Sequence, residues 1–237
     1  MRQTLDFFVK GLNLTFRHID LFIIYLIVEI PSFILIMFPS LTSLRFLSLI
    51  QMIFTLIYIS YSLSVPFFLK TKGDDKALSL GKIKSTIFQN LKKIILPILG
   101  LSSLLFLFIL ITLFIKQPPK EQAAVIMSNI FDSKSLFNPY IFMVTVVSAF
   151  FSFTSMFFSI EGKSLPRSWI LSVKASFKNL NIVFYIILIS FLINFVLRLM
   201  QVDQPIFYLF RSVVLTYEVF FITASLWLYY EKVVANK

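Results

Sequence analysis

The tetrapeptide Phe16-Arg17-His18-Ile19 closes a basic amphipathic stretch and opens a long apolar run. Degenerate copies of it precede two later apolar runs, at Phe88-Gln89-Asn90-Leu91 and Phe177-Lys178-Asn179-Leu180. A basic interfacial stretch followed by a run of membrane-spanning length is typical of an integral membrane protein. The recurrence predicts a single integral membrane domain, residues 1–237, built from three similar units at about residues 1–70, 71–161 and 162–237.

The composition points to the same class of protein. Hydrophobic residues make up 58% of the chain and charged residues 14%, and the mean hydropathy is +0.90. Soluble domains are only about half apolar, and one of this size would have no means of hiding so much apolar surface. The chain has no cysteine, which excludes disulfides and cysteine-bound zinc. We expect no metal and no cofactor.

Six runs are long and apolar enough to cross a bilayer as helices: residues 21–38, 46–69, 94–115, 141–160, 182–200 and 206–229. The runs are continuous rather than alternating, which disfavours a β-barrel. The sequence therefore predicts an all-α polytopic membrane protein. Its six transmembrane helices would form three pseudo-repeated hairpins, each preceded by a cytoplasmic amphipathic helix.

The Lys and Arg residues that flank the runs predict the orientation. Sixteen of them fall on one side of the predicted membrane and four on the other. Positive charge is enriched in cytoplasmic loops. We therefore expect a multi-pass protein of the cytoplasmic (inner) membrane with both termini inside and residues 117–138 outside.

The far end of each unit also repeats. Ser64, Ser155 and Ser225 each precede an aromatic-rich turn and a charged residue six positions on. The spacing from the tetrapeptide Phe to this Ser is 48 positions in units one and three (16 to 64 and 177 to 225). It is 67 in unit two, where the longer predicted outer loop absorbs the difference. Because each unit begins and ends on the same side, the repeats would be parallel.

The stretch Glu161-Gly162-Lys163-Ser164-Leu165-Pro166-Arg167, continuing to Lys174, resembles a motif of one group of bacterial and archaeal six-span membrane proteins. In that group a span ends in Glu-Gly, and a cytoplasmic helix leads into the next span. The group includes the membrane domain fused to some glycerophosphoryl diester phosphodiesterases. The resemblance implies the six-span layout alone, since these 237 residues contain no soluble phosphodiesterase barrel and no catalytic residue carries over.

Two acids fall at membrane depth. Glu29 lies roughly 13 Å into the first predicted span and Glu218 roughly 18 Å into the sixth, at 1.5 Å per residue. Such acids cost about 2.5–3.5 kcal/mol to insert and usually face a bundle interior or a cavity. One interpretation is an ion or proton site, or a contact for a polar head group. The other is a protonated carboxyl that fixes helix packing by bonding to a neighbour such as Tyr25, Thr216 or Tyr217.

Two arginines complete the candidate intramembrane polar site. Arg211 shares a helix face with Glu218 but lies two turns away, about 10–11 Å along the axis. Arg198 and Arg211 are expected to reach the outer surface along their alkyl chains, or to meet Asp203.

Six lysines border the apolar stripes of the amphipathic stretches and are candidate contacts for lipid head groups: Lys82, Lys84, Lys92, Lys93, Lys174 and Lys178. Lysines near an anionic leaflet favour binding to it, although the same charges also enforce topology. The expected partners are membrane lipids of the anionic cytoplasmic leaflet, and not nucleic acid.

No metal-ligand cluster, phosphate-binding glycine loop or nucleophile motif is recognisable, so no catalytic residue is predicted. The leading hypothesis is a non-enzymatic membrane protein that contacts lipid or supports a membrane process. The alternative is a transporter or permease subunit that uses Glu29 and Glu218 at the bundle midplane.

Overall fold

The computed structural model describes residues 2–37, 45–73, 78–116, 139–200 and 205–234, and all regular structure in those ranges is helical. This confirms the all-α prediction. The helices are α1 (Arg2–Arg17), α2 (Ile19–Met37), α3 (Arg45–Gly73), α4 (Leu80–Lys116), α5 (Pro139–Phe150), α6 (Thr154–Ser159), α7 (Leu165–Lys178), α8 (Leu180–Leu199) and α9 (Pro205–Tyr229). A π-helical turn, Tyr230–Val234, follows α9.

Several of these helices are long and apolar enough to cross a membrane. Within the described residues, four segments qualify: Ile50–Lys72, Phe142–Ser159, Leu180–Leu199 and Leu209–Val233. A fifth candidate is the pair Leu5–Arg17 and Ile19–Ile30, which meet at an angle of 75°. The described residues thus contain four candidate spans, or five if the bent pair is one span, which supports a multi-pass membrane protein. The predicted third span, residues 94–115, lies in α4, where most side chains beyond residue 100 are outside the described set, as is the predicted outer loop at residues 117–138.

The three tetrapeptides differ in how they join the amphipathic stretch to the following helix. The chain breaks at His18 and at Asn179, whereas α4 runs through Asn90 as one continuous helix. At Asn179 the side-chain amide donates to the Ala175 carbonyl at 2.7 Å, which is the acceptor that the Asn179 backbone N–H would use in a continuous α-helix. That backbone N–H instead donates to the Ser176 carbonyl. The Asn90 amide instead donates to Ser64 Oγ on α3 at 2.7 Å. Leu80–Lys116 is therefore one continuous helix, where the sequence predicts an amphipathic helix separate from the following span.

The predicted fourth span is supported as a candidate at Phe142–Ser159, but a turn divides it into two helices. A turn at residues 151–153 separates α5 from α6 and leaves the Phe150 carbonyl without its helical partner. Two hydroxyls of α7 donate to this oxygen, Ser172 Oγ at 3.0 Å and Ser176 Oγ at 2.9 Å. Backbone groups in a bilayer must be satisfied within the protein, so α7 makes the break tolerable.

Each of the predicted amphipathic segments packs against another helix. α1 lies along α9, α4 lies along α3, and α7 lies along α6. α2 is in turn flanked by α3 and α9. The largest fully buried side chains are aromatic, and they fill the space between these helices: Tyr25, Tyr61, Phe68, Phe153 and Phe220. Edge-on ring contacts such as Tyr25 to Tyr61, at 4.9 Å between centroids, add directional packing to this core.

Candidate functional site

A cavity of about 330 Å³ lies between α5, α8 and α9, and we refer to it as the Glu218 cavity. Its walls combine aliphatic side chains with one carboxyl, one amide and several hydroxyls. The polar members are Thr145, Ser148, Ser152, Ser190, Asn194, Glu218 and Thr223. An ionisable side chain that faces a cavity within a candidate span is a candidate functional residue. None of the described wall residues is basic.

Glu218 is the only ionisable group among the described wall residues, and its side chain is held by α8. It is 7% exposed and hydrogen-bonds with Ser190. Asn194, one turn further along α8, donates its amide to the Ser190 carbonyl at 2.8 Å. The spacing of four residues therefore places Ser190 and Asn194 on one face of α8, towards α9.

The neighbours expected to bond the acids are engaged elsewhere. The Tyr25 hydroxyl donates to Ser62, and the Thr216 hydroxyl donates to the Ser212 carbonyl at 2.8 Å. The Tyr217 hydroxyl shares a hydrogen bond with Thr15 Oγ1 at 3.0 Å. Ser190, which the sequence did not single out, is the partner of Glu218.

Glu29 is not part of the Glu218 cavity. α2 and α9 are neighbours, as a shared acidic site would require, but the described cavity walls include Glu218 and not Glu29. Glu29 is half-buried, lies within electrostatic range of Tyr25 and Tyr58, and has one carboxyl oxygen, Oε2, with no hydrogen-bond partner among the described residues. Of the two acids, the described walls of the cavity therefore include Glu218 alone.

The two candidate arginines also lie outside the described walls of the cavity. Arg198 and Arg211 are both half-buried, on α8 and α9 respectively. Asp203, the predicted partner, falls outside the described residues.

Two of the six candidate lysines line a second concave surface, which we call the Lys174 groove. It has a volume of about 330 Å³ and is bordered by α6, α7 and the π-helical turn. Its walls are Phe157, Leu171, Lys174, Ala175, Lys178, Asn179 and Val233. Lys174 and Lys178 are one helical turn apart and both are exposed. The groove therefore combines an apolar wall with two ammonium groups.

The other four lysines lie on α4. Lys84, Lys92 and Lys93 are exposed, and the Lys82 ammonium sits 5.6 Å from the centre of the Phe67 ring. At that distance a lysine makes a cation–π contact, which occupies Lys82 within the protein. None of the four is among the described walls of the Lys174 groove.

Small polar residues on the packing faces of the amphipathic helices were not predicted to matter. Ser168, Ser172 and Ser176 of α7 are fully buried, and so is Thr15 of α1. The spacing of four between the three serines could have indicated this packing face. Small residues at that interval let helices approach closely in a membrane. These residues pack the helices and touch neither the cavity nor the groove.

The motif at residues 161–174 connects α6 to α7. Gly162 has a φ of +66°, a left-handed conformation that glycine adopts without strain, and Leu165 is buried where α7 begins. Glu161 accepts a hydrogen bond from the Tyr230 hydroxyl and lies 3.8 Å from the Lys163 ammonium. The Glu-Gly pair thus turns the chain and ties it to the π-helical turn, next to the Lys174 groove.

His18 occupies the corresponding junction between α1 and α2. Burial, the nearby Lys72 ammonium and, more weakly, Arg17 lower the pKa of His18 below its ordinary value, against an opposing effect of Asp20. Lys72 itself forms an ion pair with Asp20, which ties the end of α3 to the start of α2. The lowered pKa favours the neutral imidazole at this junction.

Comparisons of the chain with protein families, with curated proteins and with solved structures find no match. Function must accordingly be argued from the Glu218 cavity and the Lys174 groove.

Proposed function

We propose that this chain is a non-enzymatic protein of the cytoplasmic membrane whose amphipathic segments bind anionic phospholipid of the cytoplasmic leaflet. The observation that carries the proposal is the Lys174 groove. Its two ammonium groups suit a phosphate, and the walls formed by Phe157, Leu171 and Val233 suit the adjoining apolar part of a lipid. A phospholipid joins these two chemistries in one molecule.

The outward faces of the amphipathic helices support contact with lipid. On α1, four large apolar side chains are exposed in one row, Leu5, Val9, Leu12 and Phe16. On α7, Ile170 and Phe177 are exposed at the positions that align with Val9 and Phe16. An amphipathic helix that turns such a row away from its own protein lies naturally at a membrane surface. The repeated Phe, which is 50–63% exposed in all three units, would then be a membrane anchor.

A three-unit layout is part of the proposal, and buried positions support it. The residue before each tetrapeptide Phe, Thr15, Ile87 or Ser176, is buried. Each bonds to the last helical region of the preceding unit in a cyclic order: Thr15 to Tyr217, the Ile87 carbonyl to Ser60, and Ser176 to the Phe150 carbonyl. Six spans with both termini inside fit this arrangement. We extend the resemblance at residues 161–174 to this layout and no further.

The test measures how anionic lipid stabilises the purified protein. We expect phosphatidylglycerol in detergent micelles to raise the melting temperature more than phosphatidylcholine does. The double variant Lys174→Gln/Lys178→Gln removes both charges and keeps an unbranched aliphatic stem with a polar end, one atom shorter than that of lysine. At about 1 kcal/mol per lysine, the apparent affinity for phosphatidylglycerol should fall about thirtyfold.

The matched control is Lys92→Gln/Lys93→Gln, which removes two exposed charges of α4 outside the groove. It should retain most of the response to phosphatidylglycerol. Equal losses in the two double variants would show that net charge, rather than the groove, attracts the lipid. The absence of any preference for phosphatidylglycerol in the unaltered protein would refute the proposal.

A second candidate function is transport, because the Glu218 cavity places a carboxyl among hydroxyls at membrane depth. A transporter or permease subunit holds its substrate or coupling ion in such a position. The uptake of a solute by vesicles containing the protein, abolished by Glu218→Gln and retained by Glu29→Gln, would establish this function. Retained uptake in Glu218→Gln would refute it.

A further inference from the structure

We propose that the Glu218 cavity is a binding site for a small monovalent cation. The observations that carry this inference are the carboxyl, the acceptor atoms that surround it, and the lack of basic groups among the described wall residues. This site goes beyond lipid binding at the Lys174 groove. If the second candidate function is correct, the cation bound at this site would be the substrate or the coupling ion of transport.

The hydrogen bonds around the cavity leave acceptors facing a ligand. Ser152 donates its hydroxyl proton to the Ala149 carbonyl at 2.6 Å, so only the lone pairs of its Oγ remain for a ligand. Asn194 uses its amide nitrogen on the Ser190 carbonyl at 2.8 Å, which leaves Oδ1 as an acceptor. Ser152 Oγ and Asn194 Oδ1 are therefore two oxygen acceptors of the wall that can coordinate a cation together with the Glu218 carboxylate.

Glu218 supplies the charge. Its carboxyl hydrogen-bonds with Ser190 and is 7% exposed. A carboxylate removed from water is costly unless it takes up a proton or meets a positive partner, and none of the described cavity walls carries a lysine, arginine or histidine. A bound cation would compensate this charge in the ionised state.

The volume limits the ligand. A cavity of about 330 Å³ lies at the lower end of the range for small-molecule sites. It accommodates a partly hydrated alkali-metal ion or a short alkylammonium ion. Both share the chemistry that the cavity recognises, a single positive charge that interacts with oxygen atoms, and the test below distinguishes them.

The experiment uses the full chain, purified in an uncharged detergent without added phospholipid at mildly alkaline pH. Its melting temperature is measured in sodium chloride, potassium chloride or methylammonium chloride, each against tetrabutylammonium chloride at equal ionic strength. We expect at least one of the three small cations to raise the melting temperature in a saturable way, because a ligand that binds only the folded state stabilises it. A response to sodium or potassium alone identifies a metal-ion site, and a response to methylammonium alone identifies an ammonium site.

Three variants assign the response to the cavity. Glu218→Gln should abolish it and Ser152→Ala should weaken it, while Glu29→Gln should leave it unchanged. Lys174→Gln/Lys178→Gln should also leave it unchanged, so that a failure of lipid binding does not affect the outcome. If Glu218→Gln does not fold, Ser152→Ala decides the matter. No response in the unaltered protein, or an unchanged response in either cavity variant, would overturn the proposal.

Discussion

Gly11 provides a sharp test of the packing of α1 on α9, because two opposing effects can be separated there. A Cβ at this position would lie 2.8 Å from the Cα and from the Cβ of Ser225, which is fully buried on α9. Such a separation is not tolerated between carbon atoms, so one helix must shift. Crowding of this kind costs up to about 3 kcal/mol. Replacing glycine by alanine inside a helix returns about 1 kcal/mol.

Gly11→Ala should therefore destabilise the protein by up to about 2 kcal/mol, the difference between the crowding cost and the helix-propensity gain. The matched control is Gly100→Ala in α4, where an added Cβ meets nothing within 4 Å. That variant should be neutral or up to about 1 kcal/mol more stable. The assay is equilibrium unfolding in mixed micelles, followed by the fluorescence of Trp227, which is buried two residues from Ser225.

A double-mutant cycle confirms the origin of the effect. Ser225→Gly removes the side chain that an alanine at Gly11 would strike, so the loss caused by Gly11→Ala should be smaller in that background. If Gly11→Ala is as stable as the unaltered protein, or more stable, α1 does not pack on α9 in the manner described.

Three further predictions concern other parts of the chain. Ser172→Ala/Ser176→Ala should destabilise the protein by about 1–3 kcal/mol because the carbonyl of the half-buried Phe150 loses both donors, and each single variant should cost less than half of that; additive losses in the unfolding assay would contradict the shared acceptor. Folding lowers the pKa of His18 below its ordinary value of about 6.5, so the stability that the neutral imidazole allows is fully present above pH 6.5. The protein should lose this stability as the pH falls from 6.5 through the pKa of His18 in the folded state, and a series of melting temperatures against pH should show a smaller slope in His18→Asn. Finally, Ser135→Cys should react with an impermeant maleimide on intact cells, since the chain has no other cysteine; labelling only after permeabilisation would reverse the predicted topology.

The sequence predicted the depth of Glu29 and Glu218 but not that Glu218 alone would line the cavity. Depth along a span follows from residue number, because a helix rises by a constant 1.5 Å per residue. The direction in which an acid points follows from helix rotation, which is set by contacts with other helices. The two acids share a depth range and neighbouring helices, yet Glu218 faces α8 whereas Glu29 lies near Tyr25 and Tyr58.

The apolar stripes of the amphipathic helices illustrate the same limit. The pattern that aligns Val9 with Ile170 and Phe16 with Phe177 predicts helices with an apolar face. In the structure these four side chains are more than half exposed, although the ring of Phe16 contacts Tyr217 and that of Phe177 contacts Phe150. Small buried residues such as Thr15 form the packing face. Hydrophobicity alone does not distinguish the two faces, since lipid and protein interior are almost equally apolar.

The sequence by itself determined the all-helical, multi-pass character, because each apolar run in a bilayer must satisfy its own backbone hydrogen bonds. It also identified Glu218, Lys174 and Lys178 as residues whose polarity needs an explanation. The tertiary structure alone decided that Glu218 meets Ser190 in a cavity and that Lys174 and Lys178 border a groove with Val233. Glu218 is far from Ser190 in the chain, and Val233 is far from Lys174 and Lys178. Whether such distant residues meet depends on how the helices rotate and pack against one another.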